Sequence, residues 1–313
     1  MEASRSVRLR DLRERIRTIE SRGACAPSPS DRPDDSVRAT GWPDLDAALG
    51  GGLAAGGLHE WLGVETAPAE TASSSRTVPT ARRWSPPLGI LVHLARRAAL
   101  DAAPRWTLWI GRTCHPYPHL LARQHGRDHR APRRVACGDL LEHSLFVATS
   151  RSLPDRGVPD PRDAAARLWA VDLALRSPAV GCVVADGCGF DRAATQRIQF
   201  LARKQMKWVL AARPPRERSE LSAAQTRWLV RIELSPAGTV AAGVQPRWHV
   251  ELLRCKGMRS AAAGRSWLLE WNRDTSTVDL SAALADLGRH GDRAGAAAGP
   301  AGREAAPPRA QTA

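Results

Sequence analysis

No apolar run in this sequence approaches the roughly 20 residues that cross a bilayer, and Met1-Glu-Ala-Ser-Arg-Ser-Val-Arg8 lacks the apolar centre of a secretory signal. A membrane span and an exported protein are therefore not expected, and the expected location is cytoplasmic. Cysteine is sparse: Cys25, Cys114, Cys137, Cys182, Cys188 and Cys255 are scattered, with no Cys-x-x-Cys pair. A disulfide framework is not expected in a chain of this class, and no close cysteine pair supplies the cysteine half of a zinc site. Tyrosine occurs once and phenylalanine three times, against eleven tryptophans.

The 313 residues suffice for one sizeable core, and 43% hydrophobic with 25% charged residues is ordinary for a globular chain. The formal net charge is +14. A field of that sign favours acidic partners, nucleic acid above all. An arginine-heavy composition that selects for no ligand gives the same charge, and no single stretch concentrates it.

The organising stretch is Trp42 to Gly63. Leu45 and Leu49 share one face of a short helix that Gly50-Gly51-Gly52 stops. Gly56-Gly57 then turns the chain into Leu58-His-Glu-Trp-Leu62, an alternating run that predicts a strand. Helix, glycine turn and strand resemble the opening of a RecA-type ATPase core, in which the strand runs into a GxxxxGK[ST] phosphate loop. Here residues 64–87 follow instead, rich in Ser, Thr, Ala and Pro, with neither glycine nor lysine. A nucleotide cradle needs close backbone N–H groups and a lysine for the phosphate oxygens. The phosphate loop is degenerate, and no cofactor is expected.

Before this core, residues 1–23 read as an amphipathic helix with Leu9, Leu12, Ile16 and Ile19 on one face and arginines around it. It either docks on its own domain or serves as an arm for a partner. Residues 24–39 are a Pro-, Ser- and Asp-rich linker. The core spans 40–287, with 64–87 as its insertion, and the Ala-, Gly-, Arg- and Pro-rich residues 288–313 read as a disordered tail.

Within the core, Leu88 to Leu100 has helical spacing, followed by strands at Trp106–Ile110 and Leu145–Ala148 and a short helix from Pro116 to Gln124. Pro161, preceded by Asp160, starts a helix with Leu168, Val171 and Leu175 on its apolar face. Val180-Gly-Cys-Val-Val-Ala185, ending at Asp186, has the continuous apolar character of a central parallel strand. A helix follows from Asp191 with Ile198, Leu201 and Ala202, then a strand at Lys207–Ala212. Val230–Leu234, Arg247–Leu253 and Ser266–Trp271 alternate without intervening helices and predict antiparallel strands on one edge. The fold class is α/β: a RecA-like, mainly parallel sheet with flanking helices and antiparallel C-terminal strands.

The closer resemblance is to the ImuA family, RecA-like accessory proteins of bacterial translesion synthesis. It rests on Leu9-Arg-Asp-Leu-Arg-Glu-Arg-Ile-Arg17, on Leu45 to Leu53 with Gly57-Leu-His-Glu-Trp-Leu62, on Leu108-Trp-Ile-Gly111 with His115-Pro-Tyr-Pro-His-Leu120, and on Arg254-Cys-Lys-Gly257 with Trp267-Leu-Leu-Glu-Trp271. The resemblance runs from Leu9 to Leu280 and implies a non-catalytic recruitment protein of SOS mutagenesis and DNA repair. Its implied partners are an inactive, ImuB-like Y-family polymerase homologue and an error-prone DNA polymerase III alpha subunit. Alternatives are a RecA-type DNA-dependent ATPase that binds nucleotide unconventionally and a SulA-type cell-division inhibitor.

Asp186 stands where RecA-like ATPases hold a Mg²⁺ ligand, but without a phosphate to bridge it reads as a cap on the Gly187 loop. Cys114, His115, His119, His125, His129, Cys137 and His143 are metal-ligand types without paired-cysteine spacing, so no metal site is expected. Lys256 reads as a solvated hairpin end. Trp42, Trp61 and Trp84 flank the insertion as a candidate exposed aromatic patch, and Trp84 is a candidate partner contact with Leu9, Leu12, Ile16 and Ile19. Arg82 and Arg83 beside Trp84, with Arg289 and Arg293 in the tail, are the candidate nucleic-acid contacts.

Overall fold

The computed structural model describes residues 36–66, 83–100, 105–122, 140–149, 161–233, 246–256, 262–272 and 277–284. Strand β1 (Val37–Arg38) pairs antiparallel with β2 (Leu53–Ala54). The last residues of the stretch read as a linker thus already belong to a small sheet. Between them lies helix α1 (Pro43–Ala48), with proline at its first turn. Asp46 reaches back to accept hydrogen bonds from Thr40 N (2.9 Å), Thr40 Oγ1 (2.7 Å) and Gly41 N (3.1 Å), which fixes the entry to the helix. Gly52 closes the turn at φ 130°, where a Cβ would overlap the Arg38 carbonyl, so only glycine fits.

Among the described residues, the main sheet has nine strands. Its members are β3 (Gly57–Leu62), β6 (Trp106–Ile110), β7 (Ser144–Val147), β8 (Val180–Asp186), β9 (Trp208–Arg213), β10 (Thr226–Glu233), β11 (Arg247–Cys255), β12 (Ser266–Asn272) and β13 (Thr277–Leu284). Their order is β13-β12-β11-β10-β3-β9-β8-β6-β7. From β10 through β7 every neighbouring pair is parallel, and β10 to β13 continue as antiparallel pairs. One expectation is corrected here: β10 is not simply part of the antiparallel edge. It runs parallel to β3 and antiparallel to β11, and so joins the two halves.

A second correction concerns β3. All its residues are buried, although the run reads as alternating. Helices cover both faces of a central parallel strand, so polar His59 and Glu60 are enclosed as fully as Leu58 and Trp61.

Helix α2 (Leu88–Leu100) covers one face with Ile90, Leu91 and Leu94, packing with Trp61, Trp109, Leu210 and Trp228. Helices α4 (Pro161–Arg176) and α5 (Arg192–Lys204) cover the other, where Val171, Leu175, Ile198 and Leu201 meet Leu58, Ile110, Val183 and Val209. A short helix α3 (Pro118–Leu121) lies between β6 and β7. Asp191 caps α5 by accepting from Ala194 N at 2.7 Å. Among the described residues, no helix is long and apolar enough to cross a membrane.

Tryptophan fills the α2 side of the sheet. Trp61 and Trp228 are register partners on β3 and β10 and stack with centroids 5.0 Å apart, and Trp267 lies 5.9 Å from Trp228. Trp42 stacks on His93 at 4.6 Å and donates its indole N–H to Val278 O at 2.7 Å, tying α1 to the far edge strand.

Candidate functional site

Open α/β sheets bind ligands beyond the carboxyl ends of their strands, where the crossover direction reverses. Here α2 leaves β3 on one face while α4 and α5 lie on the other, so that place is the end of β3 with its neighbours β9 and β8. The end of β3 runs through Gly63 into β4 (Val64–Thr66), which pairs antiparallel with β5 (Arg83–Ser85). The ends of the insertion therefore form a two-stranded ribbon, a feature not expected from its composition.

The ribbon closes tightly over the strand end. A Cβ on Gly63 would overlap the Ser85 carbonyl and lie 2.9 Å from the Trp84 ring, while Gly63 N donates to Arg213 O at 2.8 Å. Pro86 and Pro87 then lead into α2, with Leu88 N bonded to Pro86 O at 2.8 Å. Helix N-termini hold phosphate with free backbone N–H groups, which proline lacks. The chain thus presents a packed ribbon and a proline pair where an anion cradle would need glycine and open amides.

The next layer is a buried charge network. Glu60 projects from β3 on the α4–α5 side and accepts from Arg213 Nη1 at 2.8 Å and Ser222 Oγ at 2.7 Å. Its register partner on β10 is Arg227, whose Nε lies 2.7 Å from Glu60 Oε2. Arg213 also pairs with Glu217 at 2.6 Å and donates to Phe190 O at 2.9 Å. Burial opposes the charge on Arg213, but Glu60 and Glu217 outweigh it and hold its pKa above the ordinary value. Burial pushes Arg227 the other way, down, with Glu60 resisting. Arg227 also donates to the carbonyls of Glu217, Arg218 and Glu220, which shapes the loop before β10.

A second cluster continues from the first at the end of β8. Asp186 accepts from Thr113 Oγ1 at 2.5 Å and Cys188 N at 2.9 Å, and pairs with Arg167 of α4 at 2.8 Å. Asp186 thus caps its own loop, as expected. Arg167 donates to the carbonyls of Asp186 and Cys188 and pairs with Asp163 at 3.1 Å. Glu217 links the clusters by accepting from Gly189 N at 3.0 Å. Cys188 is pushed up to about 12, by burial first and then by Glu217 and Asp186. Burial also raises Cys114. These thiols stay protonated at neutral pH and are not nucleophiles. The arrangement locks the loops after β8 and β9 by consuming its own charges.

The candidate aromatic patch is not formed. Trp42 and Trp61 are buried, and Trp84 on β5 packs part-buried against the α2-side core. Large indole rings near a Ser- and Pro-rich insertion find more apolar area inward than outward, and the ribbon carries Trp84 onto the core. Arg83 lies on β5 opposite Thr66. Leu9, Leu12, Ile16, Ile19, Arg82, Arg289 and Arg293 lie outside the described residues. Of the metal-type residues, Cys114 is buried and His115 packs edge-on to Phe146. Tyr117 stacks on His119, while His125, His129 and Cys137 lie outside the described residues. Lys256 is exposed at the end of β11, in line with its reading as a solvated hairpin end; its Nζ donates to Ala223 O at 2.5 Å, and partial burial lowers its pKa.

One feature of the surface escaped the sequence reading. Trp169 and Leu173 of α4 are 68% and 55% exposed, and Phe200 of α5 is 68% exposed. The signal was present: Trp169 and Leu173, four apart, form an apolar stripe opposite Val171 and Leu175. No protein-family model matches this sequence, and no curated protein matches it significantly.

Proposed function

We infer that this chain is a RecA-like accessory protein that has lost nucleotide chemistry and serves as a recruitment module in SOS-induced translesion DNA synthesis and repair. The RecA-like reading is supported by the parallel strands with crossover helices, the buried strand after the glycine turn and the antiparallel extension beyond β10. The observation that supports the loss of chemistry is the ribbon at Gly63, where the Ser85 carbonyl and the Trp84 ring lie against the residue that directly follows β3. Glu60 and Asp186, the acidic groups at the strand ends, are engaged by Arg213, Arg227 and Arg167. A group held in this way is not free to orient water or a metal ion.

The partners proposed are an inactive Y-family polymerase homologue and an error-prone replicative-type polymerase subunit, with DNA as a further ligand bound through backbone charge. The test is co-purification from damaged cells combined with an ATP–Mg²⁺ thermal shift. Capture of the polymerase proteins with an unchanged melting temperature is the expected result. Saturable stabilisation by ATP–Mg²⁺ would return the chain to the ATPase class.

A further inference from the structure

The outer surface of the α4–α5 pair exposes three large apolar side chains on two adjoining helices. Trp169 and Leu173 point away from the sheet, since the inward positions of α4 are taken by Arg167, Val171, Ala174 and Leu175. On α5 the inward positions are Ala194, Ile198, Leu201 and Ala202, which leaves Phe200 outside. Asp172 accepts from Arg176 of its own helix at 2.7 Å and from Arg197 of α5 at 2.8 Å, and so ties the two helices together. On the same side of the sheet, Leu145 of the edge strand β7 is 45% exposed, while Val147, two residues on, packs into the core beneath α4.

Among the described residues, basic side chains outnumber acidic ones on the outer side of these two helices. Arg162, Arg176, Arg192, Arg197, Arg203 and Lys204 are exposed on these helices. Asp172 is shared between Arg176 and Arg197, Asp163 pairs with the buried Arg167, and Asp191 caps α5, so the exposed basic side chains remain in excess over the acidic ones. Large apolar side chains grouped on one surface mark an interaction site, and arginine around aromatic anchors is the composition of binding hot spots.

We propose that the α4–α5 outer face docks an acidic amphipathic helix of a partner protein, Trp169, Leu173 and Phe200 receiving its apolar side and the surrounding arginines its carboxylates. The proposal rests on the recruitment reading and gives it a surface. Charge argues against the chain's own N-terminal segment as occupant, because arginines crowd Leu9, Leu12, Ile16 and Ile19. Leu173 and Leu145 argue against single-stranded nucleic acid, since aliphatic side chains offer bases no ring to stack on. An acidic helix with apolar residues at helical spacing satisfies both the apolar and the charged requirement.

The test uses the full chain and two fluorescein-labelled helical peptides of about 20 residues, long enough to cross both helices. Each carries leucine and phenylalanine along one side; the other side is glutamate in one peptide and lysine in the second. Saturable binding of the glutamate peptide is expected, with the lysine peptide at least about tenfold weaker. The Trp169→Ser/Phe200→Ser variant should lose about tenfold or more while its melting curve is retained, because both side chains are exposed. A second variant, Arg203→Glu/Lys204→Glu, should weaken the glutamate peptide and strengthen the lysine peptide. No binding, or binding that both variants leave unchanged, overturns the proposal. So does oligothymidine binding that depends on Trp169 and Phe200 while peptide binding does not. If the face fails these tests but the chain still captures the inactive polymerase homologue, the surface is wrong and the recruitment reading stands; if capture fails as well, both fall.

Discussion

Glu60 on β3 and Arg213 at the end of β9 form an ion pair at 2.8 Å with both side chains 1% exposed, and Arg227 adds a second guanidinium to the same carboxylate. Breaking a buried pair costs far more than the pair contributes, because the remaining charge stays buried without its partner. Glu60→Ala should destabilise the fold by about 3–5 kcal/mol, read from urea denaturation midpoints. Glu217→Ala should cost less, since the Glu217 carboxylate lies nearer solvent at 11% side-chain exposure and Arg213 keeps Glu60. Equal costs, or a Glu60→Ala loss within the ordinary surface range of about 0.5 kcal/mol, would show that the network is not what holds the strand ends.

Two buried histidines predict acid sensitivity. His93 donates from Nε2 to Thr40 O at 2.9 Å, which leaves Nδ1 to accept from Val278 N at 3.4 Å. His59 sits between Ala54 O at 3.2 Å and Thr226 Oγ1 at 2.9 Å, and the Thr226 hydroxyl in turn accepts from Trp228 Nε1 at 2.8 Å. Both rings are closed in their neutral form, and burial lowers each to about 4. A depressed histidine value means that the unfolded chain takes up the proton first. Stability is therefore complete above the unfolded value near 6.5 and falls as pH drops from there toward 4. Between pH 7 and pH 5 each histidine should remove about 2 kcal/mol. Denaturant midpoints across that range check this, and a flat profile would refute it.

Gly63 is the most sensitive position for the ribbon. Gly63→Ala places a methyl group against the Ser85 carbonyl and the Trp84 ring, so the ribbon must shift. Backbone gives way less readily than a flexible side chain, and the expected cost is about 1–3 kcal/mol. ATP–Mg²⁺ should stabilise neither the native chain nor this variant in a thermal melt, whereas a true site at a hundredfold its Kd would add about 2.7 kcal/mol. Native-like stability of Gly63→Ala would mean that the ribbon does not close on the strand.

What the sequence disclosed follows from how local each signal was. The α2 boundaries and the central β8 could be read because helical spacing and a continuous apolar run are properties of neighbours in the chain. The direction of β10 could not, since alternation describes a strand's faces and not the partner beside it. β13 was missed because its Thr, Asp and Ser residues dilute the apolar pattern of an edge strand. The charge network had no local signature: Glu60 lies 153 residues from Arg213 and 162 from Ser222. Glycine told most about the candidate site. Absence of a glycine nest after Gly63 was visible in the sequence, but only the structure places Ser85 and Trp84 against Gly63.

DNA binding, where it occurs, should be electrostatic and tolerant of sequence. The chain carries a net charge of +14 and has no helix-turn-helix or zinc-finger spacing to read base edges. Neutralising phosphates releases condensed counterions, so affinity should fall steeply with salt. With about six to ten phosphates engaged, the loss between 50 and 200 mM salt would be about 10³–10⁵. The tail beyond residue 287 contributes Arg289, Arg293, Arg303 and Arg309, and Arg82 and Arg83 add charge within the insertion. Fluorescent single-stranded and duplex oligonucleotides titrated at several salt concentrations, against the full chain and a truncation ending at Leu287, separate these sources. Binding lost only in the truncation assigns the contact to Arg289, Arg293 and their neighbours. Binding kept by the truncation but lost in Arg82→Ala/Arg83→Ala assigns it to the insertion. A sequence-selective complex whose affinity does not change with salt would sink the electrostatic account, because counterion release cannot be avoided when arginine side chains neutralise a phosphate backbone.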